Sequence, residues 1–366
     1  MKASQLGVAI AGLGFGEKVH LPALYACPAT TPVALWHPQN EKLQQSCSRT
    51  GLWGSSNFKE LLANPEVEAL IIATPPEARF QLAKQALLAG KHVLLEKPVA
   101  LNSTEALQLE QLALAQGCCC AINFEYRAVP AFQQLAELLR AGWLGEPWLV
   151  RFDWLMESRS DPKRPWNWYA QQELGGGVLG ALGSHAFDMM EWLVGPIVAL
   201  QAQLSVAIKE RPMPNGNGFA AVDAADTALI QMQLQPHWSA SKQFLSAQLA
   251  LSSVARQGRG CWLEFYGSEG TLVLGSSNQA DYVHGFGLQG CLKGETMAAI
   301  PNNPAFKYNR TWEDGRIAPV ARLIGWWAEA IKEAKPMVPG LLEGLQSQIA
   351  MDACQSSDLS GSRVLL

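Results

Sequence analysis

Three closely spaced glycines near the start of the chain restrict its fold more than any other feature. Gly12, Gly14 and Gly16 directly follow the first apolar run, which reads as a strand, and precede a stretch suited to a helix. In such a unit the first glycine permits the tight turn, the second lets a pyrophosphate approach the backbone, and the helix N-terminus favours the anion. We therefore predict a dinucleotide site at Gly12, Gly14, Phe15 and Gly16. The third glycine comes one residue earlier than in the usual spacing, with Glu17 in its place, which leaves the packing of the helix open.

Short apolar runs alternate with helical patterns over the first third of the chain. The predicted strands are 7–11, 32–36, 69–74, 92–96 and 119–124, and the clearest helices are 77–89 and 103–116. Gly90 would end the first of these helices, and Asn102 or Ser103 would cap the second. Apolar strands separated by helices indicate a parallel sheet covered on both faces. The order predicts a doubly wound Rossmann domain of the α/β class.

A different pattern follows in the second part of the chain. Apolar residues alternate with glutamine and serine along 200–208, 230–235 and 245–251. This period of two indicates an antiparallel sheet that packs on one side only. We expect its apolar face to be covered by residues 177–192 and by the last helices, 320–333 and 341–357.

The length of 366 residues exceeds that of one usual core and favours two domains. We predict a Rossmann domain over 1–122 and an α/β domain over 123–366, with a large open, predominantly antiparallel sheet that serves substrate binding and oligomerisation. We expect the opposite face of this sheet to be polar but scarcely charged. It is either a surface where copies of the chain meet, as a dimer or tetramer, or simply a solvated face.

Composition excludes several classes of function. The net charge of −4 comes without a long basic run, which argues against nucleic-acid binding. No apolar stretch approaches the roughly 20 residues of a membrane span, and no secretory hydrophobic region precedes the first strand, so we expect a cytoplasmic protein. The eight cysteines contain no Cys-x-x-Cys pair and are interpreted as reduced, buried thiols. We predict no metal site.

The end of the second predicted strand bears on the choice between NAD and NADP. A carboxylate about 20 residues after the glycines would hold the ribose 2′-hydroxyl of NAD, but the chain reads Trp36-His37-Pro38-Gln39 there. A carboxylate would also repel the 2′-phosphate of NADP, so its absence permits that cofactor. His37 could contact the phosphate, although no arginine or lysine adjoins it. We favour NADP and keep NAD as the alternative.

A lysine follows the strand 92–96, at the edge of a parallel sheet where ligands bind. By itself such a lysine is usually a solvated surface residue, but the surrounding string resembles the glucose–fructose oxidoreductase/inositol dehydrogenase (Gfo/Idh/MocA) family. The matching segments are Thr74-Pro75-Pro76, Ala89-Gly90-Lys91-His92-Val93, Glu96-Lys97-Pro98, Asn123-Phe124-Glu125-Tyr126-Arg127 with Pro130, Leu144-Gly145-Glu146-Pro147, Gly175-Gly176-Gly177, Gly183-Ser184-His185-Ala186-Phe187-Asp188 and Asp352-Ala353-Cys354. The resemblance thus covers nearly the whole chain.

This resemblance implies an oxidoreductase with sugar, polyol or related hydroxy/keto substrates, frequently assembled through its open sheet. It implies a catalytic Lys97 fixed by Glu96, a cis Lys97–Pro98 bond, and a cofactor close to Thr74 and Pro75. Lys97 can stabilise negative charge on the reacting oxygen. His185, otherwise readable as a satisfied core histidine, becomes the acid/base, because an imidazole with a pKa near neutrality can exchange the alcohol proton. Arg127 and Ser184 fall in matching motifs and are expected to face the substrate.

Two departures from the family pattern affect the chemistry. The aspartate usual four residues before the histidine is Ala181 here, and the family's Thr-Pro-Asn-x-x-His turn ends in Arg79. Loss of the aspartate keeps a second hypothesis open, a non-catalytic dinucleotide-binding sensor or partner protein. A third is a lyase or glycosidase that uses tightly held NAD. Asp188 is expected to be a structural hydrogen-bond partner of His185.

The segment 157–169 corresponds to a substrate-facing loop of the family. It combines cations with aromatic residues, among them Arg159, Arg164, Trp166 and Tyr169. These could recognise an acidic or ring-shaped small molecule by ion pairing and stacking. The alternative is a solvated loop that is anchored by its aromatic side chains.

Overall fold

The structure, a computed structural model, describes residues 5–238, 243–278 and 280–366. Its strands are β1 Leu6–Ala11, β2 Thr30–Trp36, β3 Trp53–Ser55, β4 Ala69–Ile72, β5 His92–Leu95, β6 Cys120–Ile122, β7 Pro147–Leu155, β8 Ile197–Ser205, β9 Glu210–Pro212, β10 Phe219–Ala221, β11 Thr227–Leu234, β12 Leu245–Ser252, β13 Gly260–Gly267, β14 Gly270–Ser276, β15 Gly287–Leu292, β16 Ala298–Ala299 and β17 Val364–Leu365. Its α-helices are α1 Leu21–Ala26, α2 Asn40–Thr50, α3 Phe58–Ala63, α4 Pro76–Leu88, α5 Ser103–Gln116, α6 Pro130–Arg140, α7 Ser184–Leu193, α8 Ile317–Lys332 and α9 Leu341–Ser360.

The chain forms two compact units, which are described separately. The first comprises residues 1–128 and 310–345, and the second comprises 129–309 and 346–366. A segment from late in the chain thus belongs to the first unit. The functional division into 1–122 and 123–366 stays a prediction.

The first unit is built on a six-stranded sheet of order β3-β2-β1-β4-β5-β6. Every neighbouring pair in it is parallel. Alternate residues of β1 enter two separate apolar clusters, Ala9 one and Val8 and Ile10 the other. Both faces of the sheet are therefore covered, and the predicted doubly wound Rossmann fold is confirmed.

Helix α5 shows how local sequence sets an element of this unit. The Asn102 side chain accepts a hydrogen bond from the Glu105 backbone N–H at 2.9 Å, which satisfies one of the donors left over at a helix start. At the other end Gly117 adopts a left-handed conformation with φ of 62°, which glycine tolerates best. The helix has the bounds predicted from sequence.

Helix α8 corrects one expectation. Its residues Val320, Leu323 and Trp327 are buried in the cluster that contains Val8 and Ile10, and the Trp327 indole N–H donates to the Cys119 carbonyl at 3.2 Å. The helix covers the parallel sheet, so the prediction that it covers the antiparallel sheet is wrong. Periodicity identifies an apolar stripe, but it does not say which sheet the stripe meets.

The second unit contains a nine-stranded sheet of order β16-β15-β14-β13-β7-β12-β11-β8-β17. Its pairings are antiparallel except for β12 with β7. The prediction of a predominantly antiparallel sheet is confirmed. One face is apolar and buried, and the turn before α7 covers part of it: a side-chain carbon at Gly183 would lie 3.5 Å from Leu251 of β12.

The opposite face of this sheet carries polar residues in register across the strands. Gln201, Gln231 and Gln248 are direct neighbours, and Arg151 and Glu264 continue the row. Both charged residues belong to an ion-pair network with Asp153 and Arg259, at separations of 3.3–3.8 Å. The expectation of a scarcely charged face therefore fails on β7 and β13, because their charged positions follow no glutamine-rich repeat.

Among the described residues no helix is both long and apolar enough to cross a bilayer, and no cluster of histidine, cysteine and carboxylate side chains could hold a metal ion. None of the eight cysteines forms a disulfide, and four of them are buried while four are partly buried. Burial raises the pKa of Cys119 to about 11, so this thiol is protonated at neutral pH.

Candidate functional site

The glycine turn after β1 has the geometry that a phosphate requires. Gly12 has a φ of +97°, and a side-chain carbon there would lie 2.7 Å from the Ala73 carbonyl oxygen, so only glycine fits. A side-chain carbon at Gly14, in contrast, would meet no atom within 4 Å. The backbone at Gly14 therefore faces open space at the start of a helical segment, where an anion is favoured.

The early third glycine serves a packing role. A side-chain carbon at Gly16 would lie 2.7 Å from Cγ2 of Ile10 in β1, so its absence lets the next segment approach the strand closely. Residues 16–20 form a single π turn, a rare feature that is frequent at functional sites. Glu17 accepts hydrogen bonds from Ser46 at 2.6 Å and Arg49 at 2.9 Å. A glutamate is tolerated because its charge is engaged by α2.

A buried hydroxyl near this turn lacks a protein partner. Thr74 is only 6% exposed, and its Oγ1 has no hydrogen-bond partner among the described residues. Leaving such a group unsatisfied costs about 1–3 kcal/mol. Its neighbour Ala73 lies against Gly12, whereas Pro75 is exposed. Together with the open side of Gly14, the Thr74 hydroxyl fits a phosphate-bearing cofactor.

A buried carboxylate links three segments of the first unit by hydrogen bonds: the end of β5, the π turn and the end of β6. Glu96, just after β5, accepts hydrogen bonds from His20 and Asn123, each at 2.7 Å from its Oε1. Burial by itself raises the pKa of Glu96, but the hydrogen bond and charge of His20, with the charges of Lys97 and Arg79, outweigh it, and the pKa lies below its ordinary value. Glu96 is therefore ionised at neutral pH.

Lys97 follows Glu96 and retains partial exposure. The Lys97–Pro98 bond is cis, as the resemblance implied. Burial lowers the pKa of Lys97 below its ordinary value, Glu125 and Glu96 act in the opposite direction, and Arg79 adds to the lowering. A lysine whose pKa moves toward neutrality, at the ligand-binding edge of a parallel sheet, is suited to acid/base work.

Arg79, the residue that departs from the family turn, has a clear position. It is 3% exposed, and its guanidinium donates to the carbonyl oxygens of Pro98 and Thr74. Burial lowers the pKa of Arg79 to about 10, so it stays charged. It ties the Lys97–Pro98 turn to the segment that carries the unpartnered Thr74 hydroxyl.

Glu125 is a further ionisable residue of this region, and motif spacing does not predict a role for it. It opens a short 3₁₀ helix, 125–128, after β6 and is 5% exposed. Burial, and then the charge of Glu96, raise the pKa of Glu125 to about 8, against the lowering effects of Lys97, its own backbone and Arg316. It can therefore hold a proton at neutral pH.

The remaining predicted residues of the first unit are more dispersed. Phe15 packs edge-on against His20, at 5.3 Å between ring centroids, with the Arg316 guanidinium 5.1 Å from its ring. Arg127 is buried on the 3₁₀ helix with Glu125. His37 lies beyond β2, and the Gln39 backbone N–H donates to its Nδ1 at 3.0 Å. Burial lowers the pKa of His37, with Lys42 adding to the effect and the Gln39 bond opposing it.

The second unit carries His185 near the start of α7. His185 is 4% exposed, and its ring lies 6.3 Å from that of Trp154 on β7. The preceding Ser184 donates to the Gly180 carbonyl at 2.8 Å. Ala181 lies in a second single π turn, 179–183, and is partly exposed. No carboxylate takes its place within that turn.

The loop 157–169 is organised by its own side chains. The Arg159 guanidinium lies 3.8 Å from the Tyr169 ring centroid, and the Trp166 indole N–H donates to the Ala221 carbonyl at 3.0 Å. The buried Arg211 donates to the Asp161 and Arg159 carbonyls. These contacts anchor the loop, and Arg159, Arg164 and Arg211 have no carboxylate within ion-pair distance among the described residues.

Comparisons with known proteins agree with this architecture. A family model described as the oxidoreductase family with an NAD-binding Rossmann fold matches residues 6–124, and the GFO/IDH/MocA C-terminal domain matches residues 132–273. An uncharacterized oxidoreductase, sll0816 of Synechocystis, is 45% identical over 96% of this chain and 93% of that protein. The chain belongs to the Gfo/Idh/MocA family.

Two further comparisons agree with this assignment. The levoglucosan dehydrogenase of Pseudarthrobacter phenanthrenivorans is 30% identical over 59% of this chain and 58% of that protein. A solved levoglucosan dehydrogenase structure, in complex with NADH and L-sorbose, superposes with a TM-score of 0.87 at 23% identity, covering 99% of this chain and 98% of that one. The latter likeness supports the fold. Membership establishes an oxidoreductase with an NAD-binding Rossmann domain.

The structure brings some predicted residues of this family member together and leaves others in separate units. Glu96 and Lys97 lie in one cluster, to which the structure adds His20, Arg79 and Glu125. Lys97 belongs to the first unit and His185 to the second, so their convergence stays a prediction. Arg79 could have been suspected from its place in the family turn, whereas no local signal marks His20.

The open side of Gly14 gives a first testable prediction. We expect Gly14→Ala to leave thermal unfolding unchanged, because the added methyl meets no protein atom within 4 Å, and to weaken dinucleotide binding by about tenfold or more, equivalent to roughly 1.4 kcal/mol. Fluorescence titration with NADH and NADPH measures the binding. Gly16→Ala is the matched control and should instead lower the unfolding temperature, because its methyl would press on Ile10. Unchanged affinity in the folded Gly14 variant would contradict the assignment.

Proposed function

We propose that this protein transfers hydride between a nicotinamide cofactor and a sugar-like or cyclic hydroxy/keto substrate. The observation that carries the proposal is Lys97, partly exposed beside the hydrogen-bonded Glu96 at the ligand-binding edge of a Rossmann sheet. We assign cofactor binding to residues 1–122 and substrate binding to 123–366.

In the proposed mechanism Gly12, Gly14 and Thr74 hold the phosphates, and the bound nicotinamide supplies or accepts the hydride. Lys97 donates a hydrogen bond to the reacting oxygen and stabilises its developing negative charge. His185 takes the alcohol proton in oxidation and returns it in reduction. The proposal requires these two side chains to meet around one substrate. Glu96 fixes Lys97, because its hydrogen bonds to His20 and Asn123 hold the backbone from which the Lys97 side chain extends.

Substrate recognition is assigned to Arg127, Ser184 and the loop with Trp166 and Tyr169. Arg159 and Arg164 have no carboxylate within ion-pair distance among the described residues, and this favours a substrate that carries negative charge. A panel for activity should therefore pair neutral sugars with their uronic acids.

Ala181 favours a second candidate, a dinucleotide-binding sensor without catalysis. The missing carboxylate removes a partner of the substrate hydroxyl, while the glycine turn remains suited to nucleotide. This candidate binds NADH or NADPH and turns over no member of the panel. Activity gained by Ala181→Asp would then identify a decayed enzyme.

Replacement of the catalytic lysine tests the first candidate. We expect Lys97→Met to reduce kcat by about 10²–10³-fold, because a donor to the developing oxyanion is lost, with cofactor affinity changed little. Absorbance of the reduced nicotinamide follows turnover. Lys59→Met, at an exposed lysine of α3, is the control and should behave as wild type. Full activity in the Lys97 variant would refute its role.

The preference for NADP is proposed from the end of β2, where no carboxylate stands. The pKa of His37 is lowered by burial, so the imidazole is neutral at pH 7 and would attract a phosphate only in acid. Lys42, on the first turn of α2, is close enough to lower that pKa further. Lys42 therefore supplies a positive charge near His37, although no arginine or lysine is directly adjacent to His37 in the sequence.

We therefore expect Lys42→Ala to weaken NADPH binding on the order of fivefold, the upper range for an exposed ion pair, and to leave NADH binding nearly unchanged. Dissociation constants from fluorescence titration provide the measurement, with Lys59→Ala as control. Equal losses for both nucleotides would show that Lys42 does not read the 2′-phosphate.

The open face of the nine-stranded sheet is proposed as the surface where copies of the chain meet. It combines the Gln201, Gln231 and Gln248 row with exposed apolar side chains: Leu229 is 51% exposed and Leu149 is 37% exposed. A shallow depression of about 390 Å³ is lined by these glutamines, Leu149 and Arg363. Such a mixed polar and apolar face is typical of interfaces.

A charge at the centre of this face tests the assembly. Sedimentation velocity should give wild-type protein a mass that is a multiple of 39.7 kDa, and Gln231→Lys should shift it toward one chain, because a desolvated unpaired charge is costly. Gln81→Lys, on the exposed side of α4, should leave the mass unchanged. A wild-type mass of one chain would rule the interface out.

A further inference from the structure

We propose that Glu125 shares a proton with Lys97 and so determines whether Lys97 meets the substrate oxygen as an ammonium or as an amine. The inference rests on the proposed role of Lys97. It gives this lysine a carboxyl partner in a chain where Ala181 replaces the aspartate of the family. Glu125 acts through Lys97 and is a positioning residue.

The backbone places the two side chains at the ends of adjacent strands. Leu95 of β5 pairs with Ile122 of β6, and the Asn123 N–H donates to the Leu95 carbonyl at 2.8 Å. Lys97 and Glu125 each follow within a few residues of those paired ends, at the same edge of the sheet. The Asn123 side chain, bonded to Glu96 at 2.7 Å, fixes the segment between them.

The surrounding charges make Glu125 the carboxyl that holds the proton. The groups that act on it are Glu96, Lys97 and Arg316. Glu96 is committed to its charge by two hydrogen bonds, and Arg316 is engaged by Asp314 at 2.6 Å. A second ionised carboxylate beside Glu96 is unfavourable in a buried site. Protonation of Glu125 removes that repulsion.

The exchange is balanced. In one form the pair is a carboxylic acid and an amine, and in the other a carboxylate and an ammonium. One O–H bond breaks as one N–H bond forms, the pair remains neutral in total, and no electron is transferred. Besides Glu125 and Glu96, the charged neighbour of Lys97 is Arg79, which favours the amine.

The test measures the ionisation of Lys97 directly in the full chain. Trace acetylation with acetic anhydride across a pH series, read by mass spectrometry, gives the fraction of amine at Lys97. A carboxylate near an ammonium raises its pKa, so its removal lowers it. Glu125→Gln should move the labelling midpoint to lower pH by about one unit or more, and Glu125→Asp should return it toward wild type. Glu77→Gln, at an exposed glutamate of α4, should leave it unchanged.

An unchanged midpoint in Glu125→Gln, with wild-type thermal unfolding, would overturn the inference. If that variant fails to fold, Glu125→Met decides, because it also removes the carboxyl, and a midpoint identical to wild type in it then counts against the inference. Where turnover is found, the alkaline limb of kcat/KM should fall together with the labelling midpoint. A shifted midpoint without turnover of any substrate would leave the Lys97–Glu125 pair standing and refute the oxidoreductase mechanism.

Discussion

The buried Glu96 carboxylate is the interaction on which the candidate site depends. It joins the π turn after the glycines, through His20, to the end of β6, through Asn123. An ionised carboxylate away from water is tolerated only when it is paired and hydrogen-bonded. Because two segments distant in sequence supply those bonds, the sheet edge and the glycine turn of the first unit are stabilised as one structure. Loss of either partner would leave a charge without compensation.

Much of the first unit follows from local rules. The bounds of α5 agree with its cap and its terminal glycine, and the parallel order of the sheet follows from apolar strands separated by helices. Helix α8 shows what such local rules do not predict, namely which sheet a helix packs against. Its stripe, which includes Leu323 and Trp327, is visible as periodicity, but its partner is a sheet formed some two hundred residues earlier, since Trp327 bonds to Cys119. Strands β7 and β13 follow the same alternation, with Val150, Phe152 and Trp154 of β7 buried, but their outer positions carry charges such as Arg151 and Glu264 instead of the glutamine and serine that mark β8 and β11.

The residues of the candidate site also fall into those that local sequence predicts and those that it does not. Glu96 and Lys97 are marked by a compact motif and by the strand before them, so sequence predicts them. His20 lies in a π turn, Arg79 in α4 and Glu125 in a 3₁₀ helix. The resemblance covers the segments of Arg79 and Glu125 without assigning them a role, and no local signal marks His20. Arg79 illustrates the difference. The sequence shows only that an arginine stands where the family turn has a histidine, whereas the structure shows that its guanidinium donates to the carbonyl oxygens of Pro98 and Thr74. Whether Lys97 and His185 meet is a matter of long-range arrangement that motif spacing does not encode.

The distribution of protons in the first unit follows from the distribution of hydrogen bonds. Glu96 and Glu125 are both buried, and burial acts on both in the same direction, toward the neutral acid. Glu96 has two side-chain donors at 2.7 Å, and its pKa falls, whereas burial and the charge of Glu96 raise the pKa of Glu125 to about 8. Two carboxyls in one neighbourhood thereby acquire different states, one fixed in charge and one able to exchange a proton. Lys97 adjoins Glu96 in the chain, it follows the strand next to the one that precedes Glu125, and the charges of both carboxyls act on its pKa. Under the proposed pairing of Lys97 with Glu125, this asymmetry supplies the Rossmann unit with an acid/base pair that does not involve position 181.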